Sequence, residues 1–385
     1  MANAGDVAPA HPAVRHLAAL TSLRFLAASY VLIFHYSAIP GNVFESQFVR
    51  LGYTGVSFFF ILSGFILAHN YQHVDFGQPH ALHRYLLARI SRIYPVYLLS
   101  LIVGVPFLFV FLAKLAPGMT TTLAASSLLV APLGLQAWLP GTACALNCPS
   151  WSISVEAFFY LMLPVLLAPI LLHPLKWIIL TLGGWLVITA TYMLIWSIIS
   201  PQGSILSSQP SLTHEIVAQF IKYFPPGRLP EFCLGVALYA LWKRHSRYFN
   251  PSLMICACLA MATILLMQVS YVSEIALHNG LSAIVWAPLI LGAANMKGGV
   301  LSLPVCDFLG RISFSLYLFH LPVFSAVLSF DNKLLGQTLV TQHPTLLIVI
   351  TTALAIVIST VVFVLVEEPM RHRIFRAFAR TDDRA

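Results

Sequence analysis

An arginine and a histidine stand eleven residues apart in the first long apolar stretch of the chain. Arg24 and His35 belong to residues 20–40, a run of about 20 residues that is long enough for a helix crossing a bilayer. Both lie on one face of that helix, about 16 Å apart along its axis, because eleven residues make about three turns. Ionisable groups inside a membrane are costly and usually face a bundle interior or a wet cavity. The pair therefore indicates a functional site. The alternative is a snorkelling arginine and a histidine that is hydrogen-bonded within the bundle.

A basic cluster lies at the start of the third apolar segment. Arg89 and Arg92 in the run ARISRIYP are one helical turn apart, and Arg84 is close by. Guanidinium groups bind phosphate oxygens through paired, charge-assisted hydrogen bonds. The cluster therefore predicts a site for a polyanionic ligand at the cytoplasmic entrance of this segment. A topology signal that interacts with anionic lipid would use the same residues.

The run NCPSWSISVEAFFYLMLP opens a later segment from the outer side. Trp151 suits an interfacial anchor, and with Ser152 it is a candidate contact for an acceptor substrate. Glu156 lies about a turn and a half into the apolar region, where a carboxylate needs a partner. We expect Glu156 to orient a histidine. A structural hydrogen bond to another helix is the alternative.

The run GRISFSLYLFHLP carries three polar residues with helical spacing. Ser313, Tyr317 and His320 share one face of their helix. By helix rise, His320 lies about 15 Å into the membrane, a depth similar to that of His35. We expect the two histidines and Glu156 to meet in the outer half of the bundle. Interhelical packing with satisfied polar tips is the alternative for Tyr317 and His320.

A further charged pair occurs in the run PPGRLPEFCLG. Arg228 and Glu231 are one turn apart at the external mouth of another apolar segment. They form either a local ion pair or part of an acceptor-binding site.

The composition is that of an integral membrane protein. Of the 385 residues, 59% are hydrophobic and only 9% are charged, whereas an ordinary soluble domain is ~25% charged. Long apolar runs predict an all-α bundle rather than a barrel. The net charge of +8 does not require a nucleic-acid partner, because membrane proteins collect Lys and Arg in cytoplasmic loops.

The six cysteines show no metal-site spacing. Cys144 and Cys148 share a short external loop and could form a disulfide.

The pattern predicts about ten membrane-spanning helices with both termini in the cytoplasm. The candidate spans are 20–39, 53–71, 92–112, 151–172, 177–198, 226–242, 251–269, 275–295, 309–330 and 345–366. An eleventh segment, 121–138, contains Thr, Ser, Pro and Gln, so we expect it to be re-entrant or to lie at the external face. If it does not cross, 16 of the 21 basic residues are inside, and if it crosses, only 8 are. The outer five are then Arg50, Lys114, Lys222, Arg228 and Lys333.

Three regions follow from this reading. Residues 1–16 are Ala-, Pro- and His-rich and are expected to be disordered. Residues 17–370 form the membrane domain, and residues 371–385 form a basic cytoplasmic tail.

Taken together, these runs resemble the bacterial acyltransferase type 3 family, membrane O-acyltransferases that modify sugars and other hydroxyl-bearing substrates. The runs occur in the family's order between residues 20 and 373. One departure is Ala157, where many members have a second acidic residue. The resemblance is carried by the pair Arg24 and His35, GVSFFFILSGF from Gly55, RISRIYP from Arg89, SWSISVEAFFYL from Ser150, RLPEFCLG from Arg228, GRISFSLYLFH from Gly310 and EEP from Glu367.

The resemblance implies an acyl-CoA donor, usually acetyl-CoA, on the cytoplasmic side of a bacterial inner membrane. It also implies a sugar, polysaccharide or lipid-linked acceptor at the outer side, and no permanently bound cofactor. In this scheme Arg24, Arg89 and Arg92 hold the CoA phosphates. His35 is the general base, with Glu156 orienting it. Either Tyr317 or His320 donates to the developing oxyanion, and a covalent acyl-histidine remains open.

Other functions also fit a membrane bundle with buried polar groups. A proton-coupled transporter or channel would use His35, Glu156 and His320 as a relay. A scaffold of a polysaccharide-export complex would have no chemistry. The acceptor of an acyltransferase could instead be a small glycosylated or macrolide product.

Overall fold

A computed structural model of the chain describes residues 16–112, 120–201, 203–207 and 211–382. These residues form helices joined by short turns, and no strand occurs among them. The predicted disorder of residues 1–16 falls almost wholly outside them. Thirteen described helices exceed ten residues. They are α1 (Ala18–Tyr36), α2 (Gly55–Tyr71), α3 (Ala81–Leu112), α4 (Thr120–Val130), α5 (Trp151–Leu172), α6 (Pro174–Ile199), α7 (Leu212–Tyr223), α8 (Pro225–His245), α9 (Pro251–Gln268), α10 (Ala283–Asn295), α11 (Pro304–Leu334), α12 (Pro344–Val362) and α13 (Glu368–Asp382).

The predicted fold class, an all-α polytopic membrane protein, is confirmed. Within the described ranges, nine helical stretches are long and apolar enough to cross a membrane. They contain α1, α2, α3, α5, α6, α9, α10, α11 and α12. Large apolar side chains remain exposed along α6 and α9, among them Ile179, Val187 and Met267. Such exposure is costly in water and is expected where a helix faces lipid.

Helix α8 is the tenth element at membrane depth, although its polar residues keep it out of that set of nine. It runs parallel to α2, with Arg228 contacting Ser57 near one end and the Trp242 ring 6.0 Å from the His69 ring near the other. A Cβ on Gly64 or Gly235 would collide with backbone atoms of the partner helix. Glycine therefore allows the two backbones to touch, as small residues do in membrane bundles.

Helices α1 and α11 form a second close pair. A Cβ on Gly310 would collide with the Thr21 carbonyl, and the Tyr36 hydroxyl donates to the His320 carbonyl at 2.8 Å. The second contact lies fifteen residues after the first in α1 and ten residues after it in α11. The two helices therefore run in the same direction. The pairing brings the C-terminal end of α1, which carries His35, to the middle of α11.

The segment 121–138 does not form a spanning helix. Helix α4 has 11 residues, about 16 Å at the usual rise, which is too short to cross the hydrocarbon core. The chain then turns and packs into the bundle, where the Gln136 side-chain amide donates to the Ser150 carbonyl at 2.7 Å. Cys144 and Cys148 form a disulfide in the stretch that leads to α5.

Helix α3 begins earlier than the predicted range 92–112. It starts at Ala81 and continues as one helix through Pro95 and Pro106. Arg89 and Arg92 therefore lie two to three turns inside a helix of 32 residues rather than at its entrance.

Candidate active site

A cavity opens between α1, α2, α3, α5 and α11. Apolar residues of α2, including Phe59 and Phe60, form much of its wall. Seven of the eleven predicted site residues line it. They are Arg24, Arg89, Arg92, Ser152, Glu156, Ser313 and Tyr317.

Three arginines from two helices converge on this cavity. Arg24 comes from α1, and Arg89 and Arg92 come from α3. All three side chains are half-buried, and none of them forms an ion pair within the described part of the chain. The Arg89 Nε is buried without a hydrogen-bond partner among those residues, and its guanidinium carbon lies 5.4 Å from the Tyr71 ring centre. Three arginines and one carboxylate, Glu156, line the cavity, and this excess of positive charge is suited to a polyanionic ligand.

Glu156 lines the cavity together with the three arginines, and its hydrogen bonds do not go to the histidines. Its Oε1 accepts from the Tyr160 hydroxyl at 2.5 Å and from the Ser63 hydroxyl at 3.4 Å. The expectation that Glu156 orients His35 is therefore wrong for this structure. The sequence gives the depth of a side chain but not the rotation of α5, which turns Glu156 toward α2 and α3.

Tyr160 is a site residue that the sequence analysis missed. It lines the cavity and bonds Glu156, which lies four residues earlier on α5. This i, i+4 spacing is the signal that identifies such pairs on a helix.

Tyr317 connects the cavity to the two histidines. Its ring lies 5.9 Å from the Phe59 ring on the cavity wall and 5.9 Å from the His320 ring. Tyr317 is buried and lines the cavity, so its hydroxyl is a candidate donor to a molecule bound there.

The two histidines meet, as their depths predicted. His320 Nε2 is 3.2 Å from His35 Nδ1, and the ring centres are 5.0 Å apart. His35 Nδ1 is also 2.9 Å from the Val31 carbonyl, and His320 Nδ1 is 2.7 Å from the Tyr317 carbonyl. His320 is fully buried, whereas His35 is half-buried. Of these two histidines, His35 is the one whose second ring nitrogen, Nε2, has no hydrogen bond to the described residues.

Arg228 does not face an external mouth. It is 1% exposed, and its Nε and Nη2 contact Glu231 at 2.7 and 3.0 Å. Nη1 donates to the carbonyl of His278 and also lies 3.0 Å from the Nδ1 of that residue. The local ion pair is therefore present, and the predicted acceptor contact is not available to a guanidinium group that is already bonded.

Trp151 is likewise buried rather than anchored at an interface. Its ring stacks near Tyr223 at 4.6 Å, and the Arg228 guanidinium lies 5.7 Å away. The two predicted serines, Ser152 and Ser313, do line the cavity. Each hydroxyl donates to the backbone carbonyl three residues earlier, that of Pro149 or Gly310.

The comparisons with known proteins identify the family of the chain. The family model for the acyltransferase domain matches residues 17–364. Acyltransferase MdmB of Streptomyces mycarofaciens is 28% identical over 343 residues, which are 85% of this chain and 83% of that protein. No solved structure matches the chain significantly. The resemblance inferred from the motifs is confirmed, and the chain belongs to the acyltransferase type 3 family of membrane acyltransferases.

Proposed function

We propose that the protein is an O-acyltransferase. It transfers an acyl group, acetyl in the first instance, from cytoplasmic acyl-CoA to a hydroxyl of a sugar or polysaccharide precursor at the outer side of a bacterial inner membrane. The observation that carries this proposal is a cavity whose wall contains three arginines without an ion pair among the described residues and also Tyr317, which contacts the histidine pair.

Acyl-CoA has the chemistry that this cavity favours. Its nucleotide end carries phosphates for Arg24, Arg89 and Arg92, and its slender arm can lie along the apolar wall of α2. Arg24 and His35 are about 16 Å apart along α1. The helix that binds the phosphates can therefore present an imidazole near the thioester.

The reaction requires a base, an oxyanion donor and a leaving-group proton. His35 Nε2 takes the proton of the acceptor hydroxyl while the hydroxyl oxygen attacks the thioester carbonyl carbon. Tyr317 donates its O–H to the oxyanion that develops on the carbonyl oxygen. When the C–S bond breaks, the imidazolium returns its proton to the thiolate. Free CoA leaves, and the acyl ester remains on the acceptor.

Both termini are cytoplasmic in this proposal. The 16-to-5 distribution of basic residues supports this orientation. The Cys144–Cys148 disulfide supports it as well, because it lies in the outer segment, where an oxidising compartment would maintain it. The half-buried His35 is then approached by the acceptor from the outer side, and acyl-CoA enters between the arginines from the inner side. A small glycosylated or macrolide product is the alternative acceptor.

The test uses the full chain purified in detergent or nanodiscs. Acetyl-CoA and longer acyl-CoAs are supplied with candidate sugars, and free CoA and acylated sugar are measured by mass spectrometry. The expected result is CoA release that depends on the acceptor. Ion or solute flux in liposomes without consumption of acyl-CoA would instead support a transporter and overturn the proposal.

Donor binding is tested with the double variant Arg89→Ala/Arg92→Ala, and Arg247→Ala serves as the control. Arg247 is an exposed arginine outside the cavity lining. Hydrogen bonds to charged groups contribute ~1.5–3 kcal/mol each, so the double variant is expected to raise the Kd of CoA at least about tenfold. The control is expected to bind normally. Unchanged affinity in a correctly inserted double variant would exclude these arginines from the donor site.

A further inference from the structure

The hydrogen bonds around the histidine pair assign its protonation pattern. His320 Nδ1 faces the Tyr317 carbonyl at 2.7 Å, and a carbonyl only accepts, so this nitrogen carries the proton. In a neutral imidazole the other nitrogen is then an acceptor. His320 Nε2 therefore presents a lone pair to the ring that it contacts.

His35 is fixed by the same logic. Its Nδ1 is 2.9 Å from the Val31 carbonyl and 3.2 Å from His320 Nε2, so both neighbours of this nitrogen are acceptors. The Nδ1–H is thus shared between them, and the proton cannot reside on Nε2 of the same neutral ring. Nε2 of His35 is left as the basic nitrogen.

We infer that His320 is a positioning residue that holds His35 in the tautomer whose Nε2 can accept a proton from the acceptor hydroxyl. This inference rests on the proposed function, since it assumes that His35 is the general base. In catalytic sites with a nucleophile and a base, a third group often orients the base and stabilises its charged form. The inference gives this role to His320.

The assignment removes His320 from the candidates for the oxyanion donor. Its one N–H is used by the Tyr317 carbonyl, and its other nitrogen accepts from His35. When His35 takes the acceptor proton on Nε2, its Nδ1–H remains bonded to His320 and to Val31. The positive charge formed on the ring is therefore met by two lone pairs, and no proton leaves the pair until the thiolate takes one.

The packing of α1 on α11 supports a rigid pair. Tyr36, next to His35 in the chain, donates to the His320 carbonyl at 2.8 Å, and its ring stacks 4.5 Å from Phe324. Gly310 sets the close approach of the two helices at their other end. These contacts hold the ring-to-ring geometry from both sides.

The test compares two substitutions at position 320. His320→Gln retains an amide oxygen that can accept from His35 Nδ1, and His320→Leu removes the acceptor while retaining much of the volume. We expect His320→Gln to keep kcat within about tenfold of the wild type. We expect His320→Leu to lose about 10-fold to 100-fold in kcat, as loss of a ligand-orienting partner does elsewhere, with the KM for acyl-CoA unchanged.

Ser329→Ala is the control. It removes the hydrogen bond from the exposed Ser329 hydroxyl to the Ser325 carbonyl in the same helix, nine residues from His320, so kcat is expected to remain near that of the wild type. If His320→Gln loses as much kcat as His320→Leu, His320 transfers protons itself. If His320→Leu keeps full kcat, no positioning is needed. Either result overturns the inference.

A spectroscopic measurement keeps the inference testable if His320→Leu does not fold. Nitrogen-15 NMR of histidine-labelled protein distinguishes protonated from unprotonated ring nitrogens, and His35→Gln identifies the signals of His35. The expected result is a protonated Nδ1 and an unprotonated Nε2, and the reverse pattern overturns the assignment. Failure of the proposed function is separate, since it would appear as no acceptor-dependent CoA release by the wild-type protein.

Discussion

Two sets of arginines inside the bundle differ in what their guanidinium groups already bind. Arg228 is paired with Glu231 and bonded to His278, whereas the cavity arginines form no ion pair in the described ranges of the chain. Both kinds occupy costly positions in a membrane. The paired group has a protein partner, and the proposed acyl-CoA would supply phosphates as partners for the cavity arginines.

His35 is the residue on which the proposed chemistry depends most directly. We predict that His35→Ala and His35→Gln both abolish detectable acyl transfer, because loss of a positioned general base typically costs ~10²–10⁴ in rate. Expression and CoA binding should persist in both variants. The check is turnover together with CoA affinity. Transfer by a well-expressed His35→Gln variant at more than about a tenth of the wild-type rate would mean that the base is elsewhere.

Arg228 should behave as a structural residue. We predict that Arg228→Met lowers the free energy of unfolding by about 3–5 kcal/mol, because it leaves the Glu231 carboxylate buried without its partner. The double variant Arg228→Met/Glu231→Leu should recover much of this loss. Thermal unfolding in detergent measures both. A double variant no more stable than Arg228→Met would argue against a simple ion pair.

The sequence predicted the residues of the site better than their partners. Periodicity placed Arg24 and His35 on one face and His320 at a matching depth, and these positions brought the two histidines together. It could not place Glu156, whose partner depends on how α5 is rotated against α2 and α3. Such rotations follow from packing between helices, which a single chain's periodicity does not contain.

At the scale of elements, glycine decides where helices touch. Gly310 in α11 lies against the backbone of α1, where a Cβ would collide with Thr21. By contrast, a Cβ on Gly183 or Gly184 in α6 would have nothing within 4 Å. Glycines in α11 and α6 thus differ in whether they allow close contact between helices, and the sequence alone does not distinguish the two cases.

The contrast gives a matched pair of variants. We predict that Gly310→Ala displaces α11 from α1, lengthens the 3.2 Å contact between His320 and His35 and lowers kcat at least about tenfold, as misplacement of catalytic groups does. Gly183→Ala should leave activity unchanged and raise stability by up to ~1 kcal/mol through helix propensity. Turnover and thermal unfolding distinguish the two. Equal activity in both variants would show that the close approach at Gly310 is not required.

Helix boundaries were less predictable than helix positions. The sequence suggested a helix from residue 92, but α3 begins at Ala81 and carries the arginines inside it. The polar residues before Arg92 resemble a loop when hydropathy is the only guide. In the bundle they are helical because α3 packs against α5, where the Tyr85 hydroxyl donates to the Tyr160 carbonyl at 3.0 Å.

At the scale of the whole molecule, the number of crossings depends on α8. Nine described stretches qualify as spans by length and hydropathy, and α8 does not, because it carries Arg228, Glu231 and a basic C-terminal end. Its parallel contact with α2 nevertheless places it at the same depth. The Arg228–Glu231 pair lowers the mean hydropathy of α8 without leaving a free charge in the bundle, which fits the predicted span 226–242.

Reporters on either side of α8 test this topology. One reporter follows Arg247, after α8, and the other lies within residues 203–207, before it. We predict that the first is cytoplasmic and the second external, because α8 crosses and the basic residues collect inside. Labelling by a membrane-impermeant reagent in intact cells measures both. If the two reporters were on the same side, α8 would not cross. If both were reversed, the arginines of the cavity would face outward, and a cytoplasmic acyl-CoA could not reach them.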